Sequence, residues 1–227
     1  MKVCVVIPIH KPDPNPFEII SFKQCFRILG NHPIIIVAPE GLDLTEYKKN
    51  VENLKVKFID PKWLSSILQY NKLKLSIFFY NLFHDYEYLL TYELDAFIFR
   101  DELSEWCDQG YDYIGAPWFE GYDKPGESSK IIGVGNSGFS LRRIPNMKKM
   151  IRNIVYERLE GGNRLHHLIY VLKYPFRLLL NQLGENYTLQ KNYNNNEDYF
   201  ISKIAPRRRH TKIKIAPEEA AIKFSFE

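Results

Sequence analysis

Glu93 and Asp95 stand two residues apart in the run "LLTYELDAFIF", residues 89–99, which otherwise reads as a buried strand. Carboxylates are rarely left unpaired inside a core, because stripping water from an anion costs several kcal/mol or more. On a strand, residues i and i+2 face the same way, roughly 7 Å apart. Tyr92, Leu94 and Ala96 would then point into the core, and both acids would point out of it. Two hard oxygen donors suit Mg²⁺ or Mn²⁺, cations that bridge a diphosphate. The same spacing also describes two solvated acids at a strand end, or partners for Lys72 and Lys74.

Three further stretches carry chemistry. In "NYNNNEDYF", Glu197 and Asp198 follow Asn196, as acids do in a first helical turn, where the helix dipole favours them. A carboxylate buried beside a second acid also has its proton affinity raised toward the range of a general base. In "GVGNSGFSLRR", Gly133, Gly135 and Gly138 permit close backbone approach to a ligand, although an ordinary hairpin uses the same residues. The Gly-Lys-Ser/Thr ending of a phosphate-binding P-loop is missing. In "PRRRHTKIK", consecutive arginines match phosphate oxygens in forked geometry, and His210 follows them.

The elements that must position these residues follow from periodicity. Val3–Ile9, Pro33–Ala38 and Val56–Ile59 are apolar, β-branched runs of the kind found in buried parallel strands. Helical segments separate them, over Asn15–Leu29 and from about Leu64 to Phe83, and the acidic strand is expected over Tyr88–Phe99. Alternation of this kind predicts an α/β domain with a mostly parallel sheet. Two acids at the C-terminal end of a parallel strand would lie in the crevice where such sheets bind ligands. Farther on, "YDYIGAPW" reads as a short strand leaving the sheet, and 131–143 as two short pieces around a glycine-rich turn. Residues 145–183 are helical in period, with breaks near Gly161-Gly162 and Pro175. No linker divides the 227 residues, so one domain is expected, its halves being 1–100 and 101–227.

Composition narrows the classes. Hydrophobic residues make up 45% of the chain and aromatics 15%, which suits a large core and a lined cleft. No apolar run reaches the length of a membrane span. Cys4, Cys25 and Cys107 are odd in number and widely spaced, fitting neither a disulfide framework nor a zinc site, and a cytoplasmic protein is expected. The net charge of +4 is uneven: residues 142–180 carry nine Lys/Arg against two Glu, and 203–214 carry six Lys/Arg and no acid. Such a bias suits an anionic ligand or membrane surface. "NRLHHLIYVLKYPFRLLL" reads either as a core-facing helix with snorkelling basics or as an interfacial helix on anionic lipid. The acidic remainder of the chain and the lack of a nucleic-acid-binding motif exclude nucleic acid.

The order of these stretches carries a resemblance. An N-terminal apolar strand ending in proline, followed by "YLLTYELDAFIF", looks like a GT-A glycosyltransferase with its Asp-x-Asp motif. With "YNKLKLSIFFYNLF", "YDYIGAPW", "GVGNSGFSLRR", "NEDYF" and "APEEAAIKFSFE" added, the chain resembles a little-characterised bacterial family of GT-A-type glycosyltransferases, formerly known only as a domain of unknown function. The likeness spans Tyr70 to Glu227 well and the first strand weakly. It implies a GT-A-like, Rossmann-like fold and transfer of a sugar from a nucleotide diphosphate sugar, a UDP-sugar foremost, to a glycan or lipid-linked acceptor.

By this resemblance Asp95 would hold Mn²⁺ or Mg²⁺, assisted by Glu93 and, from the C-terminal segment, His210. Pro8, Ile9 and His10 would border the donor base, with Lys72 near its phosphates. Asn136, Ser137 and Gly138 would meet donor sugar hydroxyls, and Trp118 would stack on the acceptor. Asp198, beside Glu197, would be the general base of an inverting reaction. The enzyme would work in the cytoplasm or peripherally at the inner face of the membrane, touching it through 145–180. The chain departs from the family motif at Glu93, where an Asp is usual, which leaves a non-catalytic nucleotide-sugar-binding module as the alternative. A nucleotidyltransferase fits less well, because "HKPDPNPFE" lacks the glycine-rich basic signature expected after the first strand.

Overall fold

In β1, Val3–Pro8, every second residue belongs to one face: Val3, Val5 and Ile7 to one apolar cluster, Cys4 and Val6 to another. Both faces are buried, as the continuous apolar run requires. In this computed structural model, which describes residues 2–121, 124, 126, 128–157, 164–208 and 211–226 (164–167 by backbone only), β1 is central to a six-stranded sheet. The order is β3-β2-β1-β4-β6-β5, with β2 at Ile34–Pro39, β3 at Lys55–Ile59, β4 at Tyr88–Tyr92, β5 at Tyr113–Phe119 and β6 at Ile131–Arg143. Strands β1 to β4 pair in parallel, and β6 runs antiparallel to both β4 and β5.

Helices cover both faces. On one face α1 (Pro16–Leu29) buries Phe22, Cys25 and Leu29, joined by Leu103 and Cys107 of α5 (Leu103–Asp108) and by Tyr47 of the short α2 (Thr45–Lys48). On the other face lie α3 (Ile67–Lys74), α4 (Ile77–Asn81) and α6 (Ile144–Arg152), with Phe200 and Ile201. Asn15 caps α1 in a reciprocal capping box with Glu18. The result is a single mixed α/β domain with a mostly parallel sheet, compatible with a Rossmann-like fold. None of the three cysteines is paired. Among the described residues, no helix is long and apolar enough to cross a membrane.

Local chemistry corrects several expected boundaries. The helix expected over 64–83 is split, because Ser66 and Ser76 each cap a new start with the side-chain oxygen, for α3 and α4 respectively. The acidic strand ends at Tyr92, not at Phe99: one further bond to β6 follows, from the Glu93 amide to the Gly138 carbonyl at 2.8 Å, and the Ala96 amide then closes a turn onto the Glu93 carbonyl at 3.0 Å. Residues 131–143 form one long irregular strand instead of two pieces. The helix α7, Arg164–Leu183, continues through Pro175, which lies on its solvent side where water can take up the carbonyl left unbonded. The break expected at Gly161-Gly162 lies outside the described residues.

The irregularity of β6 has a steric cause at Gly115. The β5–β6 register shifts between Ile114 and Ala116, and a Cβ on Gly115 would lie 2.2 Å from the Asn136 carbonyl oxygen. Backbone cannot yield as a side-chain tip can. Gly115→Ala is expected to destabilise the protein by about 2 kcal/mol and to lower the thermal midpoint by roughly 4–8 °C. An unchanged midpoint in differential scanning calorimetry would show that the strands can part at no cost.

Candidate functional site

Strand order places the site. The parallel strands run 3-2-1-4, and direction of travel reverses between β1 and β4. In open α/β sheets the crevice beyond the strand ends at such a switch point is where ligands bind. Here a cleft of about 460 Å³ opens at that point. Pro8, Ile9 and His10 from the end of β1 and Glu93, Leu94 and Asp95 after β4 line it, together with Tyr70 of α3. The expected neighbourhood of Pro8, Ile9, His10, Glu93 and Asp95 is therefore present in space.

The two acids differ in what holds them. Glu93 accepts the Tyr70 hydroxyl at 2.9 Å and the Lys74 ammonium at 3.4 Å, both on Oε1. Asp95 is open to solvent, and among the described residues no cation pairs with it. Desolvation by the cleft walls raises its pKa above the ordinary carboxylate value, and the charge of Glu93 adds to the rise. A cation at Asp95 would relieve both effects. The donor set fits a divalent cation in a restricted way: one free carboxylate and the second oxygen of Glu93, with ligand oxygens and water completing the shell. No group of three metal-ligating side chains exists among the described residues. His210, the expected third ligand, lies outside the described residues, as does Arg209; Arg207 and Arg208 are exposed.

Behind Glu93 lies a buried ionic network. Lys74 reaches Glu93, donates to the Ser137 hydroxyl at 3.0 Å and pairs with Glu197 at 2.8 Å. Arg142, near the C-terminal end of β6 and fully buried, donates to the same Glu197 oxygen at 2.9 Å, to the Ser140 hydroxyl and to the Tyr80 hydroxyl. Glu197 opens the short helix α8, Glu197–Tyr199. Burial alone would raise its pKa, but Lys74 and Arg142 overrule burial and hold it down at about 2. The neighbouring Asp198 behaves oppositely: burial, reinforced by the Glu197 charge, lifts it to about 6. The two acids of one helical turn are thus a fixed anion and a group that exchanges its proton near neutrality.

The other expected residues divide. Ser137 and Gly138 are at the network: Ser137 binds Lys74, and Gly138 lies against the Glu93 carboxylate, so that a Cβ there would be 3.7 Å from it. Asn136 pairs with Ala116 farther along β6 and does not line the cleft. Lys72 does not line it either; Lys74, two residues on, is the lysine beside Glu93. Trp118 is buried, its ring against Gly133 and Gly135 and covered by Lys203 and Tyr199, which leaves no open face for a sugar. Asp198 is not on the cleft wall; it adjoins the cleft through Glu197, Lys74 and Glu93.

The motifs do not single out Arg142, and they give Lys74 only, with Lys72, as a partner for the two acids. Arg142 carried a signal: in "FSLRR" the alternation puts Ser140 and Arg142 on the buried face opposite Phe139 and Leu141. A charge at a core position demands a buried partner. A second cavity of about 590 Å³ shares Asp95 with the first. Its walls are rich in aromatics, with Phe97, Phe99, Trp106, Phe139 and, from the C-terminal segment, Phe224 and Phe226, beside the charged Arg100, Glu102 and Lys223.

A family model described as "Protein of unknown function (DUF5672)" matches residues 53–227. None of the curated proteins matches the chain.

Proposed function

We propose that this chain, which belongs to the DUF5672 family, is a metal-dependent glycosyltransferase that takes a nucleotide diphosphate sugar in the β1/β4 cleft. The observation that carries the reading is that the two acidic motifs, far apart in sequence, join through one lysine: Lys74 contacts both Glu93 at the cleft and Glu197 beside Asp198. A cleft of about 460 Å³ accommodates a nucleotide sugar of ordinary size. The order of motifs along the chain, which resembles GT-A glycosyltransferases, supports the same reading. Mn²⁺ or Mg²⁺ is the cation proposed for Asp95 and Glu93.

In this mechanism Pro8, Ile9 and His10 border the nucleoside, while Asp95 and the free oxygen of Glu93 would hold a divalent cation. That cation would supply positive charge to the departing diphosphate. Tyr70 and Lys74 keep Glu93 in one orientation. Asp198 takes the proton of the acceptor hydroxyl as that oxygen attacks the anomeric carbon, which gives inversion. Glu197, held ionised by Lys74 and Arg142, keeps the affinity of Asp198 for that proton high. The aromatic cavity that shares Asp95 suits an acceptor with an apolar portion, such as a lipid-linked glycan. A non-catalytic nucleotide-sugar-binding module is the second reading, favoured by the engagement of Glu93 with Tyr70 and Lys74, which leaves one unencumbered acid.

Asp198→Asn separates the two. Transfer is expected to fall by at least about a hundredfold, a usual size for loss of a general base, while the thermal shift produced by a nucleotide sugar with Mn²⁺ stays as in the wild type. Wild-type transfer should also decline as pH drops through about 6, where Asp198 gains its proton and can no longer accept one. Full transfer by Asp198→Asn removes the base, and donor binding without turnover across a broad acceptor panel favours the binding module.

A further inference from the structure

The long helix α7, Arg164–Leu183, is turned inside out. Its polar residues face the protein: Asn181, fully buried, donates to the Ile154 carbonyl at 2.9 Å, Arg177 pairs with Glu157, and the Tyr170 hydroxyl reaches the Val155 carbonyl. Its apolar residues face out. Leu168, Leu172, Phe176, Leu179 and Leu183, at the three- and four-residue spacing of one helical face, are 55%, 70%, 63%, 57% and 79% exposed. The stripe is roughly 22 Å long at the rise of an α-helix. The reading of a core-facing helix with snorkelling basics does not survive, because these leucines are outward residues. An exposed apolar surface this continuous marks a contact face.

What the stripe meets is indicated by its flank. Gln182, one residue before Leu183, forms part of a pocket of about 360 Å³ whose other walls include Lys148, Lys149 and Arg152 of α6 and His84. Among the described residues, no acid lines that pocket. Lys173 is exposed on α7 itself; Glu157 is already paired with Arg177, and Asp85 lies against His84. Crowding of cations is felt here: desolvation, then the charge of Arg152, lowers the Lys148 pKa. An apolar stripe bordered by a pocket lined by Lys148, Lys149 and Arg152 complements a surface that is apolar below and anionic above.

We propose that α7 lies in the interface of an anionic phospholipid bilayer, with Leu168, Leu172, Phe176, Leu179 and Leu183 among the acyl chains and Lys148, Lys149 and Arg152 against the headgroup phosphates. The helix docks and does not span. The proposal is independent of the reading of the cleft, since its test has no catalytic readout.

The test is flotation of the full chain with vesicles of phosphatidylcholine alone and of phosphatidylcholine with about one third phosphatidylglycerol. Wild-type protein is expected to float with the anionic vesicles and at least about tenfold less with the neutral ones. Leu172→Ser/Phe176→Ser/Leu179→Ser should weaken that binding about a hundredfold or more, and Lys148→Gln/Lys149→Gln about tenfold. All five side chains are on the surface, so unchanged thermal midpoints are expected and serve as the folding control. Absence of binding to anionic vesicles, equal binding to both kinds, or indifference to the apolar triple substitution overturns the proposal. Sedimentation velocity covers the remaining occupant: a wild-type dimer that the triple substitution dissociates, without vesicle binding, assigns the stripe to a second copy of the chain and also overturns it.

Discussion

Asp95→Asn is expected to lower metal-dependent turnover of the nucleotide sugar by roughly a thousandfold, the scale of several kcal/mol of lost charge stabilisation at a departing diphosphate. The argument starts from asymmetry. Glu93 is already engaged by Tyr70 and Lys74, whereas Asp95 has no cationic partner among the described residues and carries a pKa raised by desolvation and by Glu93. Removing its charge eases that repulsion, so the variant should fold at least as stably as the wild type. Activity and stability are thereby expected to move apart, which a merely structural carboxylate would not produce. Chelation of the metal should reproduce the loss in the wild type and add nothing in Asp95→Asn. Donor turnover within tenfold of wild type, measured by release of the nucleoside diphosphate, would remove Asp95 from the cation site.

The largest effect on stability is expected at Arg142. Its side chain is fully buried, and Glu197 is its anionic partner. Arg142→Met leaves two buried acids facing Lys74 alone, and breaking a buried charge pair from one side costs about 3–5 kcal/mol. Adding Glu197→Gln in the same chain should recover part of that loss, because the uncompensated anion is then gone. Urea denaturation measures both. A loss below about 1 kcal/mol for Arg142→Met would mean that the network contributes little to the fold.

The pH dependence of stability carries the same signature. Glu197 is held down to about 2, so its contribution is complete above the ordinary carboxylate value of 4.5 and disappears as pH falls toward 2. Asp198 acts with the opposite sign: raised from 3.8 to about 6, it takes stability away as pH rises through that interval. Arg142→Met should weaken the first dependence and strengthen the second, since Arg142 lowers both pKa values.

Much of the scaffold was legible in the chain. Strand β1 reads directly from "VCVVIP", and the capping box at Asn15 and Glu18 marks the start of α1. Alternation of strands and helices gave the sheet class because period-2 and period-3.6 apolar patterns are local properties of adjacent residues. That Pro8, Ile9, His10, Glu93 and Asp95 share one cleft was also accessible, since parallel strands bring their C-terminal ends to one edge.

Pairings across the fold were not accessible in that way. Lys74 and Lys72 are both basic residues on the same short helix, and only its orientation selects Lys74 to meet Glu93 and Glu197. Trp118 became a core residue because β6 and Lys203 close over it. The clearest case is α7: its sequence reports an amphipathic helix, but periodicity says only that a polar and an apolar face exist. Which face turns inward was decided by partners distant in the chain, the Ile154 and Val155 carbonyls and Glu157, which bind its polar residues and leave the leucines outside.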